Sequence, residues 1–392
     1  MRPTGPVVPV YPTWAQFARL PRARARWREW FPFDAAGGAW TFSGRVALYH
    51  GLPSLGLPAH STILVPSYHQ GVEIDALLAA GYRLRYYRLD RQLSIDLTDA
   101  EQRLDETVSA LYVIHYFGFA QPLEPIRRFC QAHGLRLIED CALSLFSREN
   151  DTWLGSVGDL ALFSVYKTLP LPHGGFLVTK PPRAAVALRP APGAATLAQT
   201  LDLVHQGVEA SAWWRLEKCW NWASRRAPGM IQWHRDEMVA SGGARWDSRL
   251  LDYGASPWIV PLMGLVDRDA VVARRRENYA RLASRLRGQV SLPFPELRAG
   301  TCPLFFPVMV PDKVRFQRAL ERLGVQSVNL WDASHPTCPP ALAAEVAAWR
   351  AHCLELPIHQ ELGADHVDRV AAAVVHVLDS AVEADNRRRR LA

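Results

Sequence analysis

The sequence predicts an α/β protein: a mostly parallel sheet covered by helices on both faces, followed by a smaller α+β domain. Three observations predict it. Between residues 60 and 180, short apolar runs alternate with amphipathic helical stretches at the spacing of strand–helix units. The runs are continuously apolar, as strands buried on both faces are. Beyond residue 290 the rhythm changes, with short strand-like runs framing two helical stripes.

Residues 1 to 40 are rich in Pro, Arg and Trp and read as an irregular arm. Thr62 to Pro66 is the first buried strand. Gly71 to Ala80 follows as a helix with Val72, Ala76, Ala79 and Ala80 on one face, stopped by Gly81. Arg83 to Leu89 and Val108 to Tyr116 are the next strands. Leu123, Ile126, Phe129 and Cys130 mark a helix face that Gly134 ends. Leu135 to Ile138 is a strand closing on Glu139-Asp140, and Leu160 to Val165 and Gly175 to Thr179 are two more. Residues 183 to 255 read as helix and loop with a dense Trp stretch, and a long helix spans Val260 to Leu286. Cys302 to Val310, Val325 to Trp331 and His352 to Leu356 read as strands. Pro311 to Leu323 reads as a helix, and the stripe Val367, Val370, Val374 and Leu378 as another. The expected organisation is an arm (1–40), a large domain (41–255), and a linking helix with the small domain (256–392).

At 392 residues, 49% hydrophobic and 21% charged, the chain has the composition of a globular protein of about two domains. Disorder as the main state and fibrous repeats are excluded. There is no apolar run long enough to span a bilayer and no secretory h-region, so a cytoplasmic location is expected. None of the six cysteines forms a C-x-x-C pair and no His cluster completes a zinc spacing, so reduced buried thiols and no metal are expected. The net charge is +7, but only four of the 45 basic residues are lysines: Lys167, Lys180, Lys218 and Lys313. The basic runs (Arg22 to Arg28, Arg274 to Arg276, Arg387 to Arg390) are short; the first and last are suited to phosphates or an anionic membrane face but read rather as solvated helix ends and a frayed tail, with no nucleic-acid partner. Chemistry that needs a lysine amine therefore has four places to go.

The informative stretch runs from Leu135 to Lys180. One strand ends on Glu139-Asp140, another on Ser164-Val165-Tyr166-Lys167, and His173-Gly174-Gly175 turns the chain back into an apolar strand. In such sheets ligands bind at the carboxyl ends of the strands. The set suits pyridoxal phosphate (PLP), which needs an amine to bond its aldehyde, a carboxylate at its pyridine nitrogen, and hydroxyl and N–H donors for its phosphate. Lys167, Asp140 and Ser164 supply these in order. Ser-x-x-Lys also occurs as a serine nucleophile with its base, but its usual companions Ser-Asp-Asn and Lys-Thr-Gly are missing.

Over about residues 40 to 380 the chain resembles the DegT/DnrJ/EryC1/StrS sugar aminotransferases, which have the type I PLP-enzyme fold. Ser43-Gly44-Arg45-Val46-Ala47-Leu48 resembles their early glycine motif, and Val65-Pro66-Ser67-Tyr68 a strand end. His115-Tyr116-Phe117-Gly118, Ile138-Glu139-Asp140-Cys141-Ala142, the segment Gly158 to Gly175, and Leu356-Pro357-Ile358-His359-Gln360-Glu361-Leu362 follow in the family's order. The chain departs from the pattern at several points. Three steps separate Ser164 from Lys167 where the family usually has five. Gln70 stands where a ring-stacking aromatic is common, with His69 beside it to stack instead. Leu143 replaces Gln or His, Arg45 replaces Thr and is suited to clamp a phosphate, and Trp331 to His335 matches only loosely.

The resemblance implies an aminotransferase that moves an amino group, by expectation from L-glutamate, to a keto sugar, nucleotide-linked, in polysaccharide biosynthesis. It implies catalysis by Lys167 and Asp140, and cofactor contacts from Gly44, Arg45, His69, Gln70, Asp140, Ser164 and Lys167. It also implies a homodimer, with Tyr253 to Pro257 expected to reach the partner's site. Two other readings stay open: a PLP enzyme of another type (a dehydratase or a carbon–carbon bond-forming transferase), and a non-catalytic membrane-peripheral or binding protein using residues 213 to 226.

Overall fold

The computed structural model describes residues 25–181, 188–191, 193, 196, 200, 248–329 and 331–391. The Trp-rich stretch 213–226 lies outside the described residues.

Seven strands form one sheet: β1 (Ala39–Thr41), β2 (Thr62–Pro66), β3 (Arg83–Tyr87), β4 (Val108–Ile114), β5 (Arg136–Asp140), β6 (Leu160–Ser164) and β7 (Gly175–Thr179). Their spatial order is β1-β7-β6-β5-β4-β2-β3. From β3 to β6 all pairings are parallel, and β7 and β1 close one edge antiparallel. Every residue of β2, β6 and β7 is buried, which is why these runs read as unbroken apolar segments. The expected mostly parallel sheet is thus present, and the ends of β2 to β7 differ from the sequence reading by at most a residue or two; β1 was not foreseen, since Ala39 and Trp40 fall in the stretch read as an irregular arm.

Helices α1 (Gly44–Gly51), α2 (Val72–Ala79) and α3 (Leu123–His133) cover the sheet. Gly134 ends α3 in the left-handed region (φ 64°), where a side chain is disfavoured. Residues of the arm pack an aromatic cluster against the closed edge. Phe33 stacks on Trp40 at 5.3 Å, and both meet Phe176 edge-on.

The long helix expected over 260–286 is two. A short α4 (Ile259–Met263) gives way at Gly264, and α5 (Arg268–Leu286) restarts where Asp267 accepts the Ala270 N–H. In the C-terminal part, β8 (Phe306–Met309) pairs antiparallel with β9 (Cys353–Leu356). Around them lie α6 (Lys313–Arg322), α7 (Ala347–His352) and α8 (Ala364–Leu391). The Arg387 to Arg390 run falls within α8. The strand expected at 325–331 reduces to one bridge, Val328 to Glu355. Trp331 has φ 55°, which an extended strand does not allow. One apolar core runs from the sheet (Ile63, Val65, Ile138, Leu160) through Tyr279 and Leu282 of α5 to Phe306, Leu354 and Val370.

Candidate active site

Neighbouring residues of a strand point to opposite faces, so β5 delivers its two terminal carboxylates to different surroundings. Glu139 is fully buried and saturated. Its Oε1 accepts from the Val157 and Gly158 N–H groups, and its Oε2 from Gly155 N–H (2.8 Å) and His115 Nε2 (3.1 Å). His115 Nδ1 accepts the Gln121 N–H, so Nε2 carries the proton it donates. Burial raises the Glu139 carboxyl, but the bonds from His115 and the loop amides outweigh it and hold the group below its ordinary range. Cys141 Sγ lies near this pair in a metal-like trio, but the Glu139 and His115 lone pairs that would bind an ion are already engaged.

Asp140 is also buried, with two donors: Tyr112 O–H at 2.5 Å and Ala142 N–H at 2.8 Å. Burial raises its carboxyl, and the Tyr112 and Ala142 bonds and the charge of Lys167 offset this only in part. Lys167 therefore acts electrostatically on Asp140. It ends a 3-10 turn (Val165–Lys167) at the carboxyl end of β6 and is half-buried.

The glycine motif begins α1. A Cβ on Gly44 would stand 2.5 Å from Ser164 Oγ, so the helix start and that hydroxyl share one cradle. Ser43, the residue before α1, has its Oγ buried and without a hydrogen-bond partner. A Cβ on Gly175 would lie 2.2 Å from the Ser43 carbonyl carbon, so only glycine lets β7 pass behind the cradle. Arg45 is half-buried on the first turn of α1. A helix start with its N–H groups, two hydroxyls and an arginine is a donor set for phosphate.

The structure holds His69 through both ring nitrogens. It is fully buried, its Nδ1 bonds Pro66 O (3.0 Å) and its Nε2 accepts the His335 N–H (3.0 Å). Burial and then Arg350 push its pKa down to about 3, so it is a neutral strut. Gln70 is half-buried, and its N–H bonds Glu73 Oε1 at 2.8 Å. Leu143 sits in the apolar core. Tyr253 to Pro257 abuts the cradle within the same chain: Phe42 N–H bonds Tyr253 O, and Ser256 N–H bonds His173 Nε2.

Glu73, Tyr112 and Arg350 went unsingled in the sequence, Gln360 stood in a motif without a role, and Arg275 stood in a basic run read as solvated but is 1% exposed. Burial and then the Asp140 charge raise Glu73 to about 7. A Tyr inside a buried strand was the available signal for Tyr112, because its hydroxyl needs a partner there. The residues fit PLP on two observations: a raised, under-bonded carboxyl under the charge of a lysine, and an orphaned hydroxyl at a helix start that a Cβ would fill.

The family model described as the DegT/DnrJ/EryC1/StrS aminotransferase family matches residues 36–375. GDP-perosamine synthase of Vibrio cholerae is 26% identical over 140 residues, 35% of this chain and 38% of that protein; the chain thus matches about two fifths of this relative's length. The crystal structure of DesI in the presence of its TDP-sugar product superposes with a TM-score of 0.66 at 19% identity, covering 99% of this chain and 96% of DesI. That of NtdA from Bacillus subtilis with bound cofactor PMP gives 0.61 at 16%, covering 95% and 84%. These two establish the fold.

Proposed function

The chain belongs to the DegT/DnrJ/EryC1/StrS aminotransferase family, and from that membership we propose that it is a PLP-dependent aminotransferase acting on a nucleotide-linked keto sugar. The amino donor is an amino acid, L-glutamate first. The observation that carries the reading is the charge of Lys167 acting on the buried Asp140 carboxyl, with the Ser164 of the Ser43–Gly44–Ser164 cradle three residues before that lysine. The relatives' names supply the acceptor class.

Bound there, PLP supplies an aldehyde that bonds amines and a ring that takes up the electron pair left when a neighbouring C–H bond breaks. Lys167 would hold it, the N–H groups of Gly44 and Arg45, the hydroxyls of Ser43 and Ser164 and the Arg45 guanidinium would take the phosphate, and Asp140 would face the ring nitrogen. A cation placed there offsets the desolvation that raises its carboxyl and draws the group into its ionised form. Tyr112 keeps its own proton, because burial and the Asp140 charge raise its pKa well above the ordinary value, so it stays a donor that orients the carboxylate. The Lys167 amine, at the carboxyl end of β6, would be the group that moves a proton between two carbons.

In the same proposal the enzyme is a cytoplasmic homodimer serving polysaccharide biosynthesis, with Tyr253 to Pro257 at the partner's site. Trp258, beside that loop, is 66% exposed, which supports an interface there. Among the described residues no helix is long and apolar enough to cross a membrane.

The test is a half-reaction. Glutamate added to the PLP-loaded protein should replace the cofactor's visible absorbance with the near-ultraviolet band of its amine form, and Lys167→Ala should abolish the change. PLP bound with no response to any amino acid would overturn transamination.

A further inference from the structure

Arg275 heads the fully buried side chains by volume and is 1% exposed. All four of its hydrogen-bond acceptors are uncharged. Nε donates to Gln360 Oε1 (2.8 Å), Nη1 to Leu304 O (2.9 Å) and Pro303 O (3.2 Å), and Nη2 to Thr168 O (3.2 Å). Gln360 Nε2 donates to the same Thr168 carbonyl at 3.1 Å. Thr168 follows Lys167 directly.

The sequence explains why that carbonyl needs help. After Lys167 the chain reads Thr168-Leu169-Pro170-Leu171-Pro172. A helical continuation would bond Thr168 O to the N–H of residue 172, which is a proline and has none. A tighter turn would use Leu171 N–H, which bonds Leu169 O instead. The Lys167 turn therefore ends on a carbonyl with no backbone donor from its own continuation, in a buried place. One turn along α5 from Arg275, Asn278 Nδ2 holds the carbonyls of Ile358, His359 and Leu362. That fixes Leu356 to Leu362, the motif the proposed chemistry left without a task, so that Gln360 faces Thr168.

We propose that Arg275 and Gln360 are positioning residues for Lys167, a two-donor brace on the Thr168 carbonyl that aims the amine toward Asp140. A buried cation whose hydrogen-bond acceptors are all neutral adds little to stability compared with apolar packing; fixing the turn after the reactive lysine gives it a role. The inference rests on reading Lys167 as the attachment point.

Gln360→Glu still pairs with Arg275 but has no N–H for Thr168 O. Gln360→Met lacks both contacts. Each should weaken PLP binding about tenfold, the weight of one such hydrogen bond. Each should also shift the pH midpoint of the bound cofactor's visible absorbance, with a melting temperature within about 3 °C of the parent. Arg275→Lys should shift the midpoint further. Should it not fold, the Gln360 pair decides. Borohydride trapping and mass spectrometry run alongside. A normal Lys167 adduct with parental affinity and midpoint in both Gln360 variants overturns the brace alone. An adduct on another lysine of the parent protein overturns the reading of Lys167 and the brace with it.

Discussion

Glu139 and Asp140 share a strand end, a charge type and near-complete burial, yet their environments push them opposite ways. Four donors surround Glu139 and hold it ionised to tie the loop at 155–158 to the sheet. Two donors and a lysine's field leave Asp140 raised and unfinished. Burial alone therefore does not mark a working carboxylate. What distinguishes one is hydrogen-bonding capacity left open.

The largest expected effect breaks the contrast on the open face. Asp140→Asn should cut turnover about 10²–10³-fold, on the scale of losing one organised electrostatic contact, while urea unfolding of the cofactor-free protein shows no loss of stability. A stability loss as large as that of the back face would make Asp140 a structural acid instead. On that back face, Glu139→Gln should cost about 2–4 kcal/mol in urea unfolding, since it turns a charged acceptor of four bonds into an amide that also needs acceptors. Its turnover, assayed well below the melting temperature, should stay within a few-fold of the parent.

The pH dependence sharpens the comparison. The Glu139 pKa is depressed in the folded state, so its stabilisation is complete above the unfolded value, near 4.5, and is lost as pH falls through the folded value. That of Asp140 is raised, so its contribution is present below about 3.8 and is lost as pH rises through the folded value. In unfolding measured across pH for the cofactor-free protein, Glu139→Gln should flatten the acid limb. Asp140→Asn should gain on the parent toward neutral pH. The smallest effect is at the cradle. Ser43→Ala removes an orphaned hydroxyl, so the cofactor-free protein should lose no stability, and PLP affinity measured by absorbance titration should fall less than about tenfold.

The sheet was legible because buried parallel strands are continuous apolar runs, and β7 matches its sequence reading at both ends. The pairing of Asp140 with Lys167 was legible from order along the chain. The brace was not: Gln360 and Thr168 are 192 positions apart, and nothing in either residue announces the contact. The hold on His69 was not legible for a related reason. Its partner, the His335 N–H, comes from a segment whose only sequence signal was a loose motif. The break before Asp267 was readable as an N-cap, but the apolar stripe running through Gly264 hid it.

The sheet's last strand, β1, is three residues long, lies at an edge and leads straight into Ser43. With the aromatic arm before it, this strand keeps the β7 backbone from presenting open donors and acceptors along an apolar face. Trimming the chain past residue 41 would uncover a ready template for strands of other molecules. The same cut would unseat the lead-in to the phosphate cradle. Self-association on a sizing column and loss of cofactor retention should therefore begin at the same truncation point, so colour would report how intact that edge is.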